Sequence, residues 1–545
     1  MLYSYRIVLF LLIFFFIIGC SQNKKSIKFQ EPLTVHHKYI SSKKSKPEYG
    51  GTVIQGSISS PVTLNPLLCT DSSSMELIRL IFNSLLKYDK NWNLVPDLAE
   101  KFQYNQASNS IHFTLKKGIT WHDGIKLTSS DIAFTYNTMI NGNFPFSSVY
   151  SVIKKIKIED DYNLDFYFST KYAPMLTLFT LYIVPEHILK SQDILRSNFN
   201  IEPIGTGPFV FSSWQHDEMV HLTAYQNYFK GRSFIDHFVY RIIPDGSILF
   251  FEMMRGKIDF MALRPELYYT VWEKNKSRIK INRYSFESNN FTFLGFNLLD
   301  PLFSNNYIRK AINLAIDKKQ ITQNILLDTA DIALGPFRKT HWAYSDNLVP
   351  SPYSISLASS ILKKNGWEKG SDGILEKSNK KLVLNLFINK GNRERQLVAL
   401  FIREELKKVG IEVNISSIDW SELIKKVIPE RKFSALLLGI SLEPDPDDIY
   451  SLFHSSQIKS GLNFFGYKNE LVDNLLVKAR STISKKQRKE FYGKIQLELS
   501  KDLPLIFLYH PKKLFGINSR IKGINPIPES FTFNIEKWYV NAKNN

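Results

Sequence analysis

Between Gly50 and the C-terminus, segments that alternate apolar and polar residues keep giving way to segments whose apolar residues recur every third or fourth position, and no long Pro/Gly/Ser linker interrupts them. The first pattern suits a strand with one face on a core, the second a helix with one buried stripe. Ile111, Phe113 and Leu115 alternate with polar neighbours and predict a strand; Ile156-x-Ile158 and Leu164-x-Phe166-x-Phe168 flank a polar turn and predict a hairpin. Leu382, Leu384, Leu386 and Ile388, and then Ile411-x-Val413-x-Ile415, predict two further strands. Ser73-x-x-Glu76 has the form of a capping box before Ile78, Ile81, Phe82, Leu85 and Leu86, and Thr128-x-x-Asp131 opens a stripe through Ile132, Tyr136, Met139 and Ile140. Helices are also expected over 306–326, 396–409, 470–480 and 486–500. Strands and helices that alternate throughout make an α/β protein. Several lobes without a linker predict interleaved domains, with the chain crossing between them on short strands.

The N-terminus reads as an address and an anchor. Arg6 precedes an unbroken apolar run, Ile7 to Ile18, which is short for a membrane span of about 20 residues but has the length of a signal-peptide core. The run ends in Gly19-Cys20 and turns polar at Ser21, an arrangement that resembles the bacterial lipobox. That resemblance implies removal of residues 1–19 and lipidation of the Cys20 sulfur, with two or three acyl chains holding the protein on the outer side of a bacterial membrane. Residues 20–48 carry seven Lys against Glu31 and Glu48 and show no apolar period, so they read as the lipidated cysteine and a flexible basic tether.

Composition excludes several classes. The 545 residues are 44% apolar, as in an ordinary globular protein, and allow two to four domain-sized units. The formal charge of +19 raises nucleic-acid binding, but acidic residues interleave with the basic ones, much of the excess sits in the tether, and no nucleic-acid-binding motif is present. Cys20 and Cys69 cannot build a disulfide framework or a four-cysteine metal site. There is no phosphate loop, no H-E-x-x-H, no G-x-S-x-G and no C-x-x-C, so no catalytic residue, metal or cofactor is expected. Trp121-His122-Asp123-Gly124 and Gly205-Thr206-Gly207 read as turns. The run Glu443-Pro444-Asp445-Pro446-Asp447-Asp448 lacks the glycine and distal glutamate of a calcium loop and reads as a stiff acidic loop, either a solvated turn or a presenter of carboxylates to a cationic ligand group.

Taken in order, several segments resemble the bacterial extracellular solute-binding proteins that serve oligopeptide, dipeptide and nickel ABC transporters, family 5. They are LVPDLAEKF at 94–102, FTLKKGITWHDG at 113–124 and LTSSDIAF at 127–134; PIGTGPF at 203–209, YFKG at 228–231, YRIIPD at 240–245 and GKID at 256–259; and Asn297, IRKAINLAID at 308–317 and NFFGYKN at 463–469 with Val472-Asp473. The likeness runs from about Gly50 to the end, and its motifs are specific jointly rather than singly.

The resemblance implies a two-lobed periplasmic-binding-protein fold of type II, the large peptide-binding class. The lobes are expected to be interleaved and joined by two crossing strands near 291–297 and 504–510. Lobe I would span 49–290, with an inserted subdomain about 97–200, and return over 511–545; lobe II would span 291–510. A ligand would be enclosed between the lobes by hinge closure. The family's peptides lie extended against backbone, and an aspartate in a lobe II loop holds their amine. Leu442 stands at that aspartate's usual place, so Glu443, Asp445 and Asp447 are the carboxylates expected to face the ligand. Trp420 is expected as an apolar wall, Asn463 and Phe465 as a border of the same cleft, and Thr70 and Asp71 as the approach from lobe I. The implied function is the monomeric substrate-binding component of an ABC importer, delivering peptides to permease subunits. The alternative keeps the receptor and changes the ligand to a nickel chelate, haem or oligosaccharide. A lipid-anchored hydrolase and a passive envelope lipoprotein are the remaining readings.

Overall fold

The computed structural model describes residues 47–142, 144–273, 280–459, 461–527 and 530–541. The expectations for residues 1–19, for Cys20 and for most of the tether lie outside the described residues. Among the described residues no helix is long and apolar enough to cross a membrane.

Three sheets organise the mixed α/β body. The first has seven strands in the order Ile281–Phe286, Lys513–Asn518, Phe260–Ala262, Thr52–Ser57, His237–Ile242, Met219–Ala224 and Phe209–Gln215. The second has six, in the order Ala330–Ile332, Leu505–Pro511, Asn290–Phe296, Ala435–Ser441, Val383–Asn389 and Glu412–Ile418. The third is a four-stranded antiparallel sheet, Ala99–Asn105, Ser110–Leu115, Asn163–Phe168 and Ile153–Asp160, carried between two strands of the first. The chain leaves the seven-stranded sheet after Phe286, enters the six-stranded sheet at Asn290, and returns between Pro511 and Lys513. The strands Asn290–Phe296 and Leu505–Pro511, where the crossings were expected, pair within the six-stranded sheet along their length; the links themselves are residues 287–289 and Lys512.

Alternation explains how the six-stranded sheet buries both faces. Leu294, Phe296, Ala435, Leu437, Ile506 and Leu508 enter one core, while Phe291, Phe293, Leu436, Leu438, Leu505 and Phe507 enter the other. Neighbouring residues on a strand point to opposite faces, so an unbroken apolar run marks a strand covered on both sides.

Most elements expected from periodicity form, with two instructive differences. The helix expected from Ser73 is Ser72–Ile81, capped by Asp71, whose carboxylate accepts from Ser74 N at 2.8 Å. Ser74 Oγ instead accepts from Val62 N and Thr63 N, Glu76 binds Gln55, and Leu86 belongs to the strand Leu86–Tyr88. The single helix expected over 306–326 is broken. Asn306–Ala315 ends at Ile316, and Asp317 caps a new start through Lys319 N and Gln320 N. By contrast, the capping box at Thr128 and Asp131 forms as read.

The motifs around 121–124 and 203–209 are one structure. His122 Nδ1 accepts from Gly205 N at 3.2 Å, which leaves the proton on Nε2 to donate to Gly207 O at 3.1 Å. Gly207 N in turn donates to Ile81 O, the last residue of the helix Ser72–Ile81, at 2.8 Å. A Cβ on Gly205 would sit 1.9 Å from that carbonyl oxygen, so only glycine fits.

Candidate functional site

Strand direction locates the site. In the six-stranded sheet Val383–Asn389 runs parallel to Glu412–Ile418 and to Ala435–Ser441, so their carboxyl ends lie together. Ser441 pairs with Asn290, which puts that end beside the link at 287–289. In the seven-stranded sheet Thr52–Ser57 runs parallel to His237–Ile242 and Phe260–Ala262. The pairs Ala262–Phe515 and Phe286–Lys513 put their carboxyl ends beside the same links. Both sets of parallel strands therefore point their carboxyl ends at the junction of the two halves. In open α/β sheets that is where ligands bind, because the loops that follow the strands can diverge there.

The two links are tied to each other. Arg338 is buried; its Nε donates to Ser288 O at 2.6 Å and its Nη2 to Pro511 O at 2.5 Å, while Nη1 meets Asp331 at 2.8 Å. Ser288 Oγ also donates to Pro511 O at 2.9 Å, and Lys512 pairs with Asp331 at 3.1 Å. Arg338→Met strips both link carbonyls of a charged donor and is expected to cost about 2–4 kcal/mol. A urea-unfolding midpoint shift measures it, and Arg338→Lys, which has no fork, should recover little.

The loops at this junction carry most of the residues singled out in the sequence, but in different roles. Trp420 follows Glu412–Ile418 and is 53% exposed, free to act as a wall. The acidic loop follows Ala435–Ser441. Asp445 is bound by both terminal nitrogens of Arg488 at 2.6 and 2.9 Å. Asp447 is buried and takes Arg480 at 2.7 and 3.1 Å. Asp447 also accepts from the Tyr172 hydroxyl at 3.3 Å, a contact reaching the loop from the other half. These two carboxylates, expected to face a ligand amine, are spent on arginines of the helices Glu470–Ser481 and Lys485–Asp502. Burial alone would lower the Arg488 pKa; the Asp445 carboxylate outweighs it and drives it up. Glu443 is exposed, and its N–H donates to Asp448 at 2.6 Å.

Two other expectations are corrected. Asn463 is fully buried: its amide donates to His454 O and Tyr467 O and accepts from Tyr467 N, closing a turn. Phe465 is fully buried in the core against Phe293 and Gly295. Neither side chain borders the junction. Thr70 is exposed in the loop after Thr52–Ser57, and Asp71 beside it caps the next helix. The partners Arg480, Arg488 and Arg338 went unread in the sequence: nothing local ties Arg480 or Arg488 to a carboxylate 33 or 43 residues away, or Arg338 to Asp331 and two backbone carbonyls of the links.

Three desolvated histidines, His341 and His510 buried and His122 partly so, contribute acid sensitivity to the fold. Burial pushes His122, His341 and His510 down to about 4. His341 Nδ1 accepts from Ala343 N, and its Nε2 donates to Pro444 O in the acidic loop, so a second ring proton would break the first bond. Their folded pKa lies below the unfolded value near 6.5, so the unfolded chain takes up protons first. Their contribution to stability is full above about pH 6.5 and falls as the pH drops toward 4. Asp448, pushed up to about 6 by burial, works the other way, and burial raises Glu76, Asp131 and Asp447 in the same direction. The share owed to one such histidine is about 1 kcal/mol per pH unit near pH 5. Urea titrations of wild type and His341→Gln from pH 7 to 4.5 measure it: the variant should lose stability more slowly as the pH falls, by about that slope.

On known proteins the findings are consistent. The model of the family described as "Bacterial extracellular solute-binding proteins, family 5 Middle" matches residues 93–461. The oligopeptide-binding protein AppA of Bacillus subtilis is 32% identical over 514 residues, 92% of this chain and 94% of its own. The structure of AppA in complex with a nonapeptide matches with a TM-score of 0.79 at 31% identity, covering 91% of this chain and 100% of the other. NikZ from Campylobacter jejuni in complex with Ni(L-His) matches with a TM-score of 0.79 at 26% identity, covering 90% and 99%.

Proposed function

We propose that this chain, which belongs to the bacterial extracellular solute-binding proteins of family 5 and has the mixed α/β fold of the peptide-binding class, is the substrate-binding component of an ABC importer that captures peptides and hands them unaltered to a permease. Its halves are read as lobes, 49–290 with 511–545 and 291–510, that close on the ligand about residues 287–289 and 512. Anchoring through Cys20 on the outer face of a membrane belongs to the same reading.

One observation carries it. The strand Ala435–Ser441 pairs with Asn290–Phe296 along its whole length, but its pairing with Val383–Asn389 stops at Leu436. From Gly439 to Ser441 it surfaces at the junction with one edge bare of a strand partner among the described residues. An extended peptide can add to such an edge through backbone hydrogen bonds, which gives affinity with little regard for side-chain identity. The AppA relative was solved with a nonapeptide, and other relatives are named dipeptide-binding proteins.

Native mass spectrometry of the purified protein, followed by calorimetry with any co-purified compound, tests the reading. Peptides released intact support it; a compound returned chemically changed overturns it. A second reading, a non-peptide solute, draws on Asp445 and Asp447 being held by arginines rather than offered to an amine. The relatives NikZ, solved with Ni(L-His), and heme-binding protein A of Haemophilus influenzae keep it in view, and the same mass spectrum separates the two.

A further inference from the structure

The four-stranded sheet keeps its polar chemistry on one face. Ile111, Phe113, Leu164 and Phe166 are buried in the core, so their strand neighbours His112 and Asp165 stand on the other face. The register sets these two directly opposite each other, and His112 Nδ1 lies 3.0 Å from Asp165 Oδ1. On the edge strand Ile153–Asp160 the pairing slips between Ile158 and Asp160, and Glu159 is the residue left without a cross-strand partner. A bulge of this kind re-aims a side chain. His112, Asp165 and Glu159 each offer one ligand atom, and the three atoms lie within 4.8 Å of one another.

The charges around the three are unevenly met. The Asp165 side chain is only 14% exposed, and Lys157 stands opposite it in the register. Yet Lys157 turns to Glu159 at 3.7 Å, and among the described residues no lysine or arginine pairs with Asp165, whose carboxylate bonds to His112. A carboxylate withdrawn from water is stabilised by a cation. Bonds of about 2.0 Å to zinc at the tetrahedral angle set neighbouring ligand atoms about 3.3 Å apart. The His112–Asp165 pair already has nearly that spacing, and Glu159 is exposed, so a side-chain rotation brings its carboxylate in.

We propose that His112, Asp165 and Glu159 hold a divalent transition-metal ion on the face of this sheet turned away from the core. Zinc is the ion that one imidazole and two carboxylates suit, and the fourth position is left to water or to a ligand atom from outside. The ion joins the strands Ser110–Leu115 and Asn163–Phe168 to the edge strand Ile153–Asp160, and because it binds only the folded sheet it stabilises it. None of the three residues belongs to the two sheets that meet at the junction, so the site is separate from the solute site and stands whether or not the junction takes peptides. His112 and Asp165 are 53 residues apart, a spacing that no local metal motif covers.

Zinc titration by calorimetry, on the full chain stripped with a chelator, tests it. The wild type should take up one equivalent at this site with a Kd of about 10 µM or tighter, and its thermal midpoint should rise in about 100 µM zinc but not in the same concentration of magnesium. His112→Gln should lose that equivalent, and Asp165→Asn and Glu159→Gln should each weaken binding about tenfold or more. Lys157→Met, which removes the ammonium that competes for Glu159, should tighten binding about threefold, a gain that misfolding cannot produce. Zinc held elsewhere, as by His36 and His37 of the tether, would be unmoved by all four substitutions. If zinc binds the wild type no tighter than about 1 mM, or if the equivalents and the Kd are the same in wild type and His112→Gln, the inference falls while the proposed function stands.

Discussion

Asp445→Ala is expected to lower the unfolding free energy by about 3–5 kcal/mol, the penalty for removing one partner of a buried ion pair. The loss comes from Arg488 rather than from the aspartate. Its side chain is 6% exposed, and both terminal nitrogens are committed to Asp445. Without the carboxylate a desolvated guanidinium remains with the Tyr492 hydroxyl at 3.3 Å and the faces of Trp342 and Tyr492, none of which neutralises it. The double variant Asp445→Ala with Arg488→Met removes the stranded charge as well and should recover most of the loss. A double-mutant cycle on urea midpoints measures both, and a single variant within about 1 kcal/mol of wild type would show that Arg488 finds water instead. The same variant tests the reading of the acidic loop. If Asp445 held a ligand amine, affinity would collapse at unchanged stability; the ion pair predicts the reverse.

Gly205→Ala is expected to cost about 3–5 kcal/mol, above the usual range for an overpacked side chain. The clash is backbone against backbone: the new methyl would overlap the carbonyl oxygen of Ile81, which already accepts from Gly207 N at 2.8 Å. No rotamer relieves it. Either the helix end at Ile81 or the turn must move, and the turn is pinned on its other side by His122. Thermal melting and the urea midpoint measure the loss. Gly231→Ala is a control, since its Cβ would meet nothing within 4 Å, though at φ +94 it carries its own backbone strain. It should cost clearly less than Gly205→Ala.

The motif around Gly205 shows what could be read in advance. That 203–209 is a turn follows from its glycines and Pro208. That the turn belongs with Trp121-His122 and with the end of a helix 124 residues earlier does not, because a hydrogen bond between Gly207 and Ile81 leaves no trace in local pattern. The same division runs through the site. Alternation at Val383–Asn389 and Glu412–Ile418 was legible; that their carboxyl ends lie together was not, because it follows from their parallel pairing. Asn463 and Phe465 were read as cleft residues because they belong to a motif; burial makes them a turn clasp and a core ring.

The amino-acid order alone determined the alternation of strands and helices, the capping at Thr128 and Asp131, and the family, since these depend on neighbours a few residues apart and on motifs kept in order. Tertiary structure alone decided which charges are spent and which are offered. Asp445 and Arg488, and Asp447 and Arg480, meet only after two helices pack behind the loop that follows Ala435–Ser441. The physical reason is range: hydrophobic periodicity is set by the geometry of a single strand or helix, whereas the energy of a charge depends on every group brought within a few ångströms by the whole fold.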